Sequence, residues 1–556
     1  MELKIAAMTS LAGAMLLSAC AQPSPGAGAL APDAAQVQSA VQSATPQCEP
    51  GKEAWRSSGP PKRGGTLVRG SDTFEHMDMT KPGRTSLSAT PQVYNTLVRF
   101  RACFPSDTAM VPSLARSWEV SPDGRAWTFK LRDDVKWQNR APVNGRAFTS
   151  ADVGWMIDHQ MREGVLQSYW EDVAHEEPDP HTVVLRLLRP QPDLLGKVGD
   201  PSNLMMPREI KEQYGDFKTV AVGTGAFLVK EFKPGQNEVL LQANPDYWEK
   251  GEDGKPLPYV DEVHGVGFGD YTTQLAALRA GRTDSTSTFG LRKLDADALR
   301  QSYPHMHPWE MLAFAPQALW FNLGRKPFDD VRVRKAVALA VDPEDLIAVN
   351  RGGAAHSGFI PASLVEWAWP SEKAKEKFKA DPERARRLLA EAGITPGALE
   401  LDVKTCTAGA EEAEVVQSQL QAVGFRSKLT VVPGACGPVQ QRREYDLAWT
   451  GVGGVLFPGY WMGDFIQTGS SRNTMLFSDP QIDALAEAQG REMDVARRKQ
   501  IIDQIQDRLY DLMPYYPPIA RIFYHFASCR TRNYMQLQPG YNTPSPVYAW
   551  IDQAGC

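Results

Sequence analysis

The stretch YDLAWTGVGGVLFPGYWMG, residues 445–463, carries one charge, Asp446, and sets Trp449, Phe457, Tyr460 and Trp461 around Gly451, Gly453, Gly454 and Gly459. Residues of these types bind rather than react. A glycine-rich backbone lets a ligand approach closely, and aromatic rings supply flat apolar walls. Reactive groups are sparse elsewhere. His305-Met306-His307, with His76, Met77 and Met79 far upstream, offers donor atoms suited to a soft or borderline metal, but the cluster reads as solvated or structural side chains on a boundary loop. HEEPDPH (175–181) sets a glutamate beside a histidine, and its prolines forbid the helix that would bring both histidines to one face. GVGFGD (265–270) lacks the strand-turn-helix setting that a dinucleotide needs. There is no G-x-S-x-G elbow, no G-x-x-x-x-G-K-[ST] phosphate loop and no H-E-x-x-H zinc helix. The chain therefore reads as a binding protein without catalysis, cofactor or resident metal.

The elements that position such a site begin after an export segment. In MELKIAAMTSLAGAMLLSACAQPSPG, Lys4 precedes an apolar run from Ile5 to Leu17 that is too short for a permanent span, as in a secretory signal. The run ends in Leu17-Ser18-Ala19-Cys20, which resembles the lipobox of bacterial lipoproteins. Residues 1–20 are then a lipoprotein signal, with Cys20 the lipidated first residue of the mature chain. Residues 21–61, rich in Ala, Pro, Gln and Ser without apolar periodicity, read as a flexible tether. The remainder is too long for one core and predicts two or more lobes. A net charge of −6 without a basic run gives no electrostatic ground for nucleic-acid binding.

GGTLVRGSD reads as a strand, and ARSWEVSPDGRAWTFKLRDDVKW as a hairpin: Trp127, Phe129 and Leu131 alternate with Thr128, Lys130 and Arg132, and Ser121-Pro122-Asp123-Gly124 supplies the turn. A helix follows from Thr149-Ser150, with further strands at HTVVLRLL, GAFLVKEF and NEVLLQA. In the second half, DPEDLIAVN and DPERARRLLAEAG each open with Asp as N-cap and Pro at the first helical position. LELDVKTC (399–406) and RSKLTVVPGAC (426–436) read as parallel strands of a β-α-β unit around EEAEVVQSQLQAVG. Their carboxyl ends would bring Cys406 to Cys436. Of the seven cysteines, Cys529 with Cys556 and, by elimination, Cys48 with Cys103 complete the expected pairs, as an exported compartment permits.

Several stretches resemble one family: MVPSLARSWEVSPDGRAWTFKLRDDVKW with GRAFTSADV, GTGAFLVKEFKPGQNEVLLQANPDYW, LWFNLGRKPFDDVRVRKAVALAVDPEDLI, DPERARRLLAEAGI and the helix before MPYYPPIARIFYHFASC. In this order they are similar to bacterial extracellular solute-binding protein family 5, the oligopeptide-, dipeptide- and nickel-binding proteins of ABC importers. The resemblance implies an α/β, two-lobed periplasmic-binding-protein fold of type II, the large peptide-binding class, with a hinge between the lobes. Lobe I is expected over 62–310 with an extra subdomain, lobe II over 311–519, and a return to lobe I over 520–556. The crossings are expected at Pro308–Leu312 and Pro518–Phe523. The resemblance further implies a monomer, lipid-anchored in the periplasm or cell envelope, that closes on a small molecule and docks on permease subunits in the inner membrane.

In peptide-binding members the segment matching Trp449-Thr450-Gly451 runs along the ligand backbone, and an aspartate just after it receives the ligand's α-ammonium. This sequence has Val452 there, followed by Gly453, Gly454 and Val455. Asp446 and Asp464 lie off the family's spacing. A buried ammonium without a partner is strongly disfavoured, so the expected ligand is a non-peptide or N-blocked solute, aromatic or sugar-like, rather than the family's free peptide. Tyr460 and Trp461 extend the aromatic wall. Trp320 stands where a glutamate faces the ligand in some oligopeptide binders, Tyr169 lies near a position that closes over it, and His76 follows the first strand at the lobe mouth. Arg521, near the return crossing, would suit a carboxylate. Two alternatives stay open. A metal or metal-complex binder of the nickel type would place His76, His305 or His307 in the cleft, and an exported hydrolase would need a nucleophile and a base within hydrogen-bond reach.

Overall fold

The computed structural model describes residues 59–71, 75–81, 89–101, 109–164, 167–287, 290–433, 436–451, 457–470, 472–534 and 545–554. The expectations at Cys20, Cys48, Cys103, Val452 and Cys556, for the signal and for nearly all of the tether lie outside these residues.

Alternation builds the first lobe. In the strand Ala126–Leu131, Trp127, Phe129 and Leu131 are buried and the residues between them are half-buried, as a period of two gives for a sheet with one face on the core. This strand pairs antiparallel with Ala115–Val120. Their reversal is held by the Asp123 carboxylate, which accepts from Ser121 Oγ at 2.6 Å and Arg125 N at 3.1 Å, and by Gly124 at φ 68°, a left-handed value that glycine adopts without strain. Thr182–Leu187 and Val173–Asp179 complete a four-stranded sheet, so most of HEEPDPH is strand. The helix Ser150–Glu163 packs against it, opened by a capping box between Thr149 and Asp152. A second four-stranded sheet runs in the order Thr66–Ser71, Glu262–Gly267, Glu238–Ala243, Phe227–Lys233.

The second lobe is built on a six-stranded sheet in the order Ala354–His356, Tyr515–Ala527, His307–Phe321, Leu447–Gly451, Glu400–Cys406, Arg426–Val432. The last two are parallel, Glu400 facing Arg426, and the helix Ala410–Ala422 connects them. Cys406 and Cys436 are joined by a disulfide across this unit, Cα atoms 4.9 Å apart. Cys529 is also disulfide-bonded. The helices Pro343–Val349 and Pro382–Glu391 begin as the DP pairs predict: the Asp342 and Asp381 carboxylates accept from Glu344 N and Arg384 N, both at 2.9 Å.

Two long antiparallel strands connect the lobes, the outgoing His307–Phe321 and the returning Tyr515–Ala527. They are in register from His307↔Ala527 to Leu312↔Ile522, then slip between Leu312 and Pro316 and again between Gln317 and Leu319. Such irregularities bend and twist a ribbon locally. On the first-lobe side of the slip, Met311, Ile522, Tyr524 and Phe526 pack with Leu275, Leu278, Leu291 and Leu299 in a small separate core. On the other side the ribbon is the middle of the second-lobe sheet. The slip therefore lies between the part of the ribbon that packs on the small first-lobe core and the part built into the second-lobe sheet. Among the described residues, no helix is long and apolar enough to cross a membrane.

Candidate functional site

The strand Leu447–Gly451 lies between the outgoing strand and Glu400–Cys406, with Leu319 opposite Trp449 and Trp320 opposite Ala448. Since neighbours along a strand face opposite sides, Trp449 and Trp320 lie on opposite faces of the sheet. On the Trp449 side the centre of the arrangement is Glu412, 2% exposed, in the first turn of Ala410–Ala422, where the helix dipole favours an anion. Its carboxylate accepts from Trp449 Nε1 at 2.7 Å, Asn350 Nδ2 at 2.7 Å, Arg521 Nε at 2.9 Å and Arg521 Nη2 at 2.5 Å. Arg521 also donates to the Ala408 carbonyl at 2.7 Å. A buried carboxylate is tolerated when its lone pairs are filled in this way.

Arg521 and Glu412 form part of the wall of a cleft of about 810 Å³ whose other wall comes from the first lobe, around Gly290, Arg292 and Lys293. The cleft opens at the crossing ribbon, with Ile522 and Phe523 in its lining. Its charges are mostly matched. Lys293 donates to Asp297 at 2.7 Å, and Arg292 reaches Asp295 at 3.3 Å and, across the lobes, Glu411 at 3.9 Å. Arg351 is the exception: it lines the same cleft and has no acidic partner among the described residues. Its backbone sits at φ 55°, followed by Gly352 at φ 79°. A left-handed conformation is uncommon for a residue with a long side chain; here it belongs to the turn that closes the helix Pro343–Val349, where Gly352 N donates to the Ile347 carbonyl at 2.9 Å.

The opposite face is closed. Trp320 stacks on Tyr515 with centroids 5.0 Å apart, and Trp461 meets Tyr515 edge-on at 5.6 Å and stacks on Phe465 at 4.9 Å. Trp320 Nε1 donates to the Thr450 carbonyl at 3.2 Å, and Gln440 Nε2 donates to Thr450 Oγ1 at 2.6 Å. Trp320, Trp449, Thr450 and Trp461 are fully buried. In this conformation their rings are packed within the protein itself, and Trp320, Trp449 and Thr450 have their side-chain polar atoms paired there. Gly451 has a protein reason too, since a Cβ there would stand 2.9 Å from Gln317 Nε2 on the neighbouring strand.

Tyr169 and Tyr460 meet at a third place, a seam between the lobes. Their rings are 6.2 Å apart, and Phe457 lies 6.5 Å from Tyr169. Lys197 stands 5.3 Å over Tyr169 and Arg472 5.1 Å over Tyr460. His76 is buried in a local turn, its Nδ1 accepting from Asp78 N at 3.2 Å. His307 Nε2 lies 2.7 Å from Arg532 Nη1, and burial with that neighbouring cation holds its pKa below the usual histidine range. No three His, Cys, Asp or Glu side chains among the described residues converge as a metal site. Asp446 is engaged by Asp402 N at 2.9 Å and Arg325 at 3.3 Å. Sequence reasoning missed Glu412, Arg351 and Arg292. The available signal was topological: Glu412 opens the helix after a parallel strand, and ligands of α/β sheets gather at the carboxyl ends of strands.

The family described as bacterial extracellular solute-binding proteins, family 5, matches with its middle section over residues 109–474. The chain belongs to this family. This family 5 protein is 29% identical to Di/tripeptide-binding protein 2 of Pseudomonas aeruginosa over 373 residues, 62% of this chain and 67% of that one. Among solved structures it is similar to the ABC transporter-associated periplasmic binding protein DppA from Helicobacter pylori in complex with the peptide STSA, with TM-score 0.74, 22% identity and 88% of this chain covering 99% of that one. It is also similar to AgaA from A. tumefaciens R10 in complex with agropinic acid, with TM-score 0.74, 24% identity and the same coverage. These likenesses establish the type II two-lobed fold expected from the sequence. The relatives are binding proteins rather than enzymes.

Proposed function

We propose that this family 5 protein is the substrate-binding component of an ABC importer, held in the cell envelope by a lipid on Cys20 and the tether over 21–61. In this reading it is a monomer with lobe boundaries near 310 and 520. It takes up a small organic solute that carries a carboxylate and lacks a free amine, an N-blocked peptide or a non-peptide acid, and presents the closed form to the permease. The observation that carries this reading is the cleft of about 810 Å³ walled by both lobes at the crossing ribbon, with Arg351 a cation that has no acidic partner among the described residues. A ligand that touches both walls stabilises the closed state by its differential affinity for that state. Val452, at the position where peptide binders keep an amine-binding aspartate, supports a ligand without an ammonium. The relatives span both possibilities, with a peptide in DppA and agropinic acid in AgaA. With the rings of Trp320, Trp449 and Trp461 packed inside the second lobe, charge rather than stacking is the basis of selection.

The test is thermal unfolding against free-amine peptides, their N-acetylated forms, sugar and aromatic acids, neutral sugars and nickel-histidine. A ligand at a hundred times its Kd adds about 2.7 kcal/mol to the folded state. Amine-free carboxylates are expected to raise the midpoint in wild type, and Arg351→Gln to weaken that response ten- to a hundredfold in concentration, the loss of one charged hydrogen bond of about 1.5–3 kcal/mol. Stabilisation confined to free-amine peptides, neutral sugars or the nickel complex would overturn the ligand assignment.

A further inference from the structure

The seam beside Tyr169 and Tyr460 carries an interaction that the cleft does not need. Asp193, just before the first-lobe helix Leu194–Val198, accepts from three groups of the second lobe. Arg498 Nη1 donates to its Oδ1 at 2.7 Å, Arg498 Nη2 to its Oδ2 at 2.5 Å, and Gly459 N to Oδ2 at 2.9 Å. The Asp193 and Arg498 side chains are 11% and 5% exposed. Arg498, on the helix Val495–Leu512, is pre-aimed by Gln489 Oε1, which accepts from its Nε at 3.1 Å and its Nη2 at 2.9 Å, and by Trp367, 5.1 Å beneath the guanidinium.

Both lobes are shaped for this approach. A Cβ on Gly459 would collide with the Asp193 carboxylate, and a Cβ on Gly196 would stand 2.6 Å from the Phe457 ring. One glycine on each side of the seam thus permits the contact, a use of glycine that concerns space rather than backbone dihedrals. The pair is bidentate, largely buried, and joins a first-lobe residue to a second-lobe one.

We propose that Asp193 is the positioning residue that sets how far the lobes close, and through closure how tightly any ligand is held, without touching the ligand. When the lobes part, Asp193 and Arg498 return to water and Gly459 N loses its acceptor. Closure re-forms a fork-to-fork pair in a largely buried seam, which has defined geometry and adds to the closed state whatever occupies the cleft. Removing one partner leaves the other charge buried and uncompensated, which is far worse than removing both. The pair therefore acts as a conditional clasp, favourable when both halves are present and opposed to closure when one is missing.

The proposal rests on lobe closure but not on the ligand assigned above, so its test uses ligand-free protein. Small-angle scattering of wild type, Asp193→Asn, Arg498→Gln and the double variant reads the open population, and amide exchange reads Gly459 directly. Each single variant is expected to enlarge the radius of gyration and to speed exchange at Gly459 at least tenfold, and the double variant to change less than the sum of the two. Gly196→Ala is the second route: alanine favours its helix, so the lobe keeps its fold while the added methyl wedges the seam and produces the same opening. Unaltered scattering and exchange in folded Asp193→Asn and Gly196→Ala would overturn the proposal. So would opening accompanied by an equal loss of thermal midpoint in every variant, which would make the pair a structural brace. Failure of every solute in the ligand panel would leave these readouts untouched.

Discussion

Replacing Glu412 by glutamine keeps the size of the side chain and removes the charge on which Trp449, Asn350 and Arg521 converge. The carboxylate is almost completely buried and Arg521 is 20% exposed at its side chain, so the pair lies between the surface and interior limits. Breaking a fully buried pair costs about 3–5 kcal/mol, and a surface pair about 0–1 kcal/mol. Glutamine also turns an NH₂ toward groups that are all donors, orphaning at least one at about 1–3 kcal/mol. Together these give a loss of about 3 kcal/mol for Glu412→Gln. Urea unfolding followed by tryptophan fluorescence measures it, with Trp449 itself reporting on the site. A cycle with Arg521→Gln is expected to show a coupling of at least about 1 kcal/mol, since residues in one hydrogen-bonded network do not add. A loss below about 1 kcal/mol, or a coupling near zero, would refute the idea that Glu412 organises this wall of the cleft.

Trp449→Ala removes a fully buried indole and is expected to cost about 3–5 kcal/mol, visible as a lowered thermal midpoint before any ligand is added; an unaffected midpoint would place the ring on the ligand side. Burial opposes charge on His175, but its contacts with Glu177 at 2.6 Å and Asp158 at 3.2 Å prevail and hold its pKa above the usual value. Its contribution is full below about pH 6.5 and is lost as pH rises through the raised folded value, so His175→Gln should flatten the decline in stability across that window, and an identical pH profile would argue against the pairing. Breaking the Cys406–Cys436 bridge, with a sequence separation of 30, by a double alanine substitution should cost about 3–4 kcal/mol on the chain-entropy account, measured as a urea midpoint shift, and no shift would mean the bridge does not constrain the unfolded chain.

Local signals were legible where local physics decides. The alternation of Trp127, Phe129 and Leu131, the turn at Asp123-Gly124 and the caps at Asp342 and Asp381 each depend on a few neighbouring residues, and each is found as read. The β-α-β unit at Cys406 was legible because a parallel pair has few ways to connect. The aromatic residues show where this kind of reading stops. Trp449 and Trp320 look alike as rings in apolar strands, and only the register of Leu319 against Trp449 puts one beside Glu412 and the other inside a packed aromatic core. Glu412 was hidden for a related reason: beside Glu411 it looks like any acid in a first helical turn, and its partner Arg521 lies 109 residues away. Arg351 gave no sign because its left-handed backbone follows from the turn that it and Gly352 make together.

The two crossing strands also fix the order in which the molecule can be finished. A chain made from its N-terminus has the first-lobe sheets and the outgoing strand long before the returning strand exists. Yet Met311 needs Ile522, Tyr524 and Phe526 to complete its core, and Asp284 needs Arg530, which reaches it at 2.7 Å. The first lobe is thus begun first and sealed last, with the whole second lobe inserted in between. Truncation near residue 510 would leave both lobes without their shared ribbon, whereas cleavage in a loop of the second lobe leaves every strand pairing of the first intact. Contacts so distant in sequence are slow to form, and until the final segment arrives the nascent protein presents an unpaired strand edge and an open core, the condition in which chains aggregate.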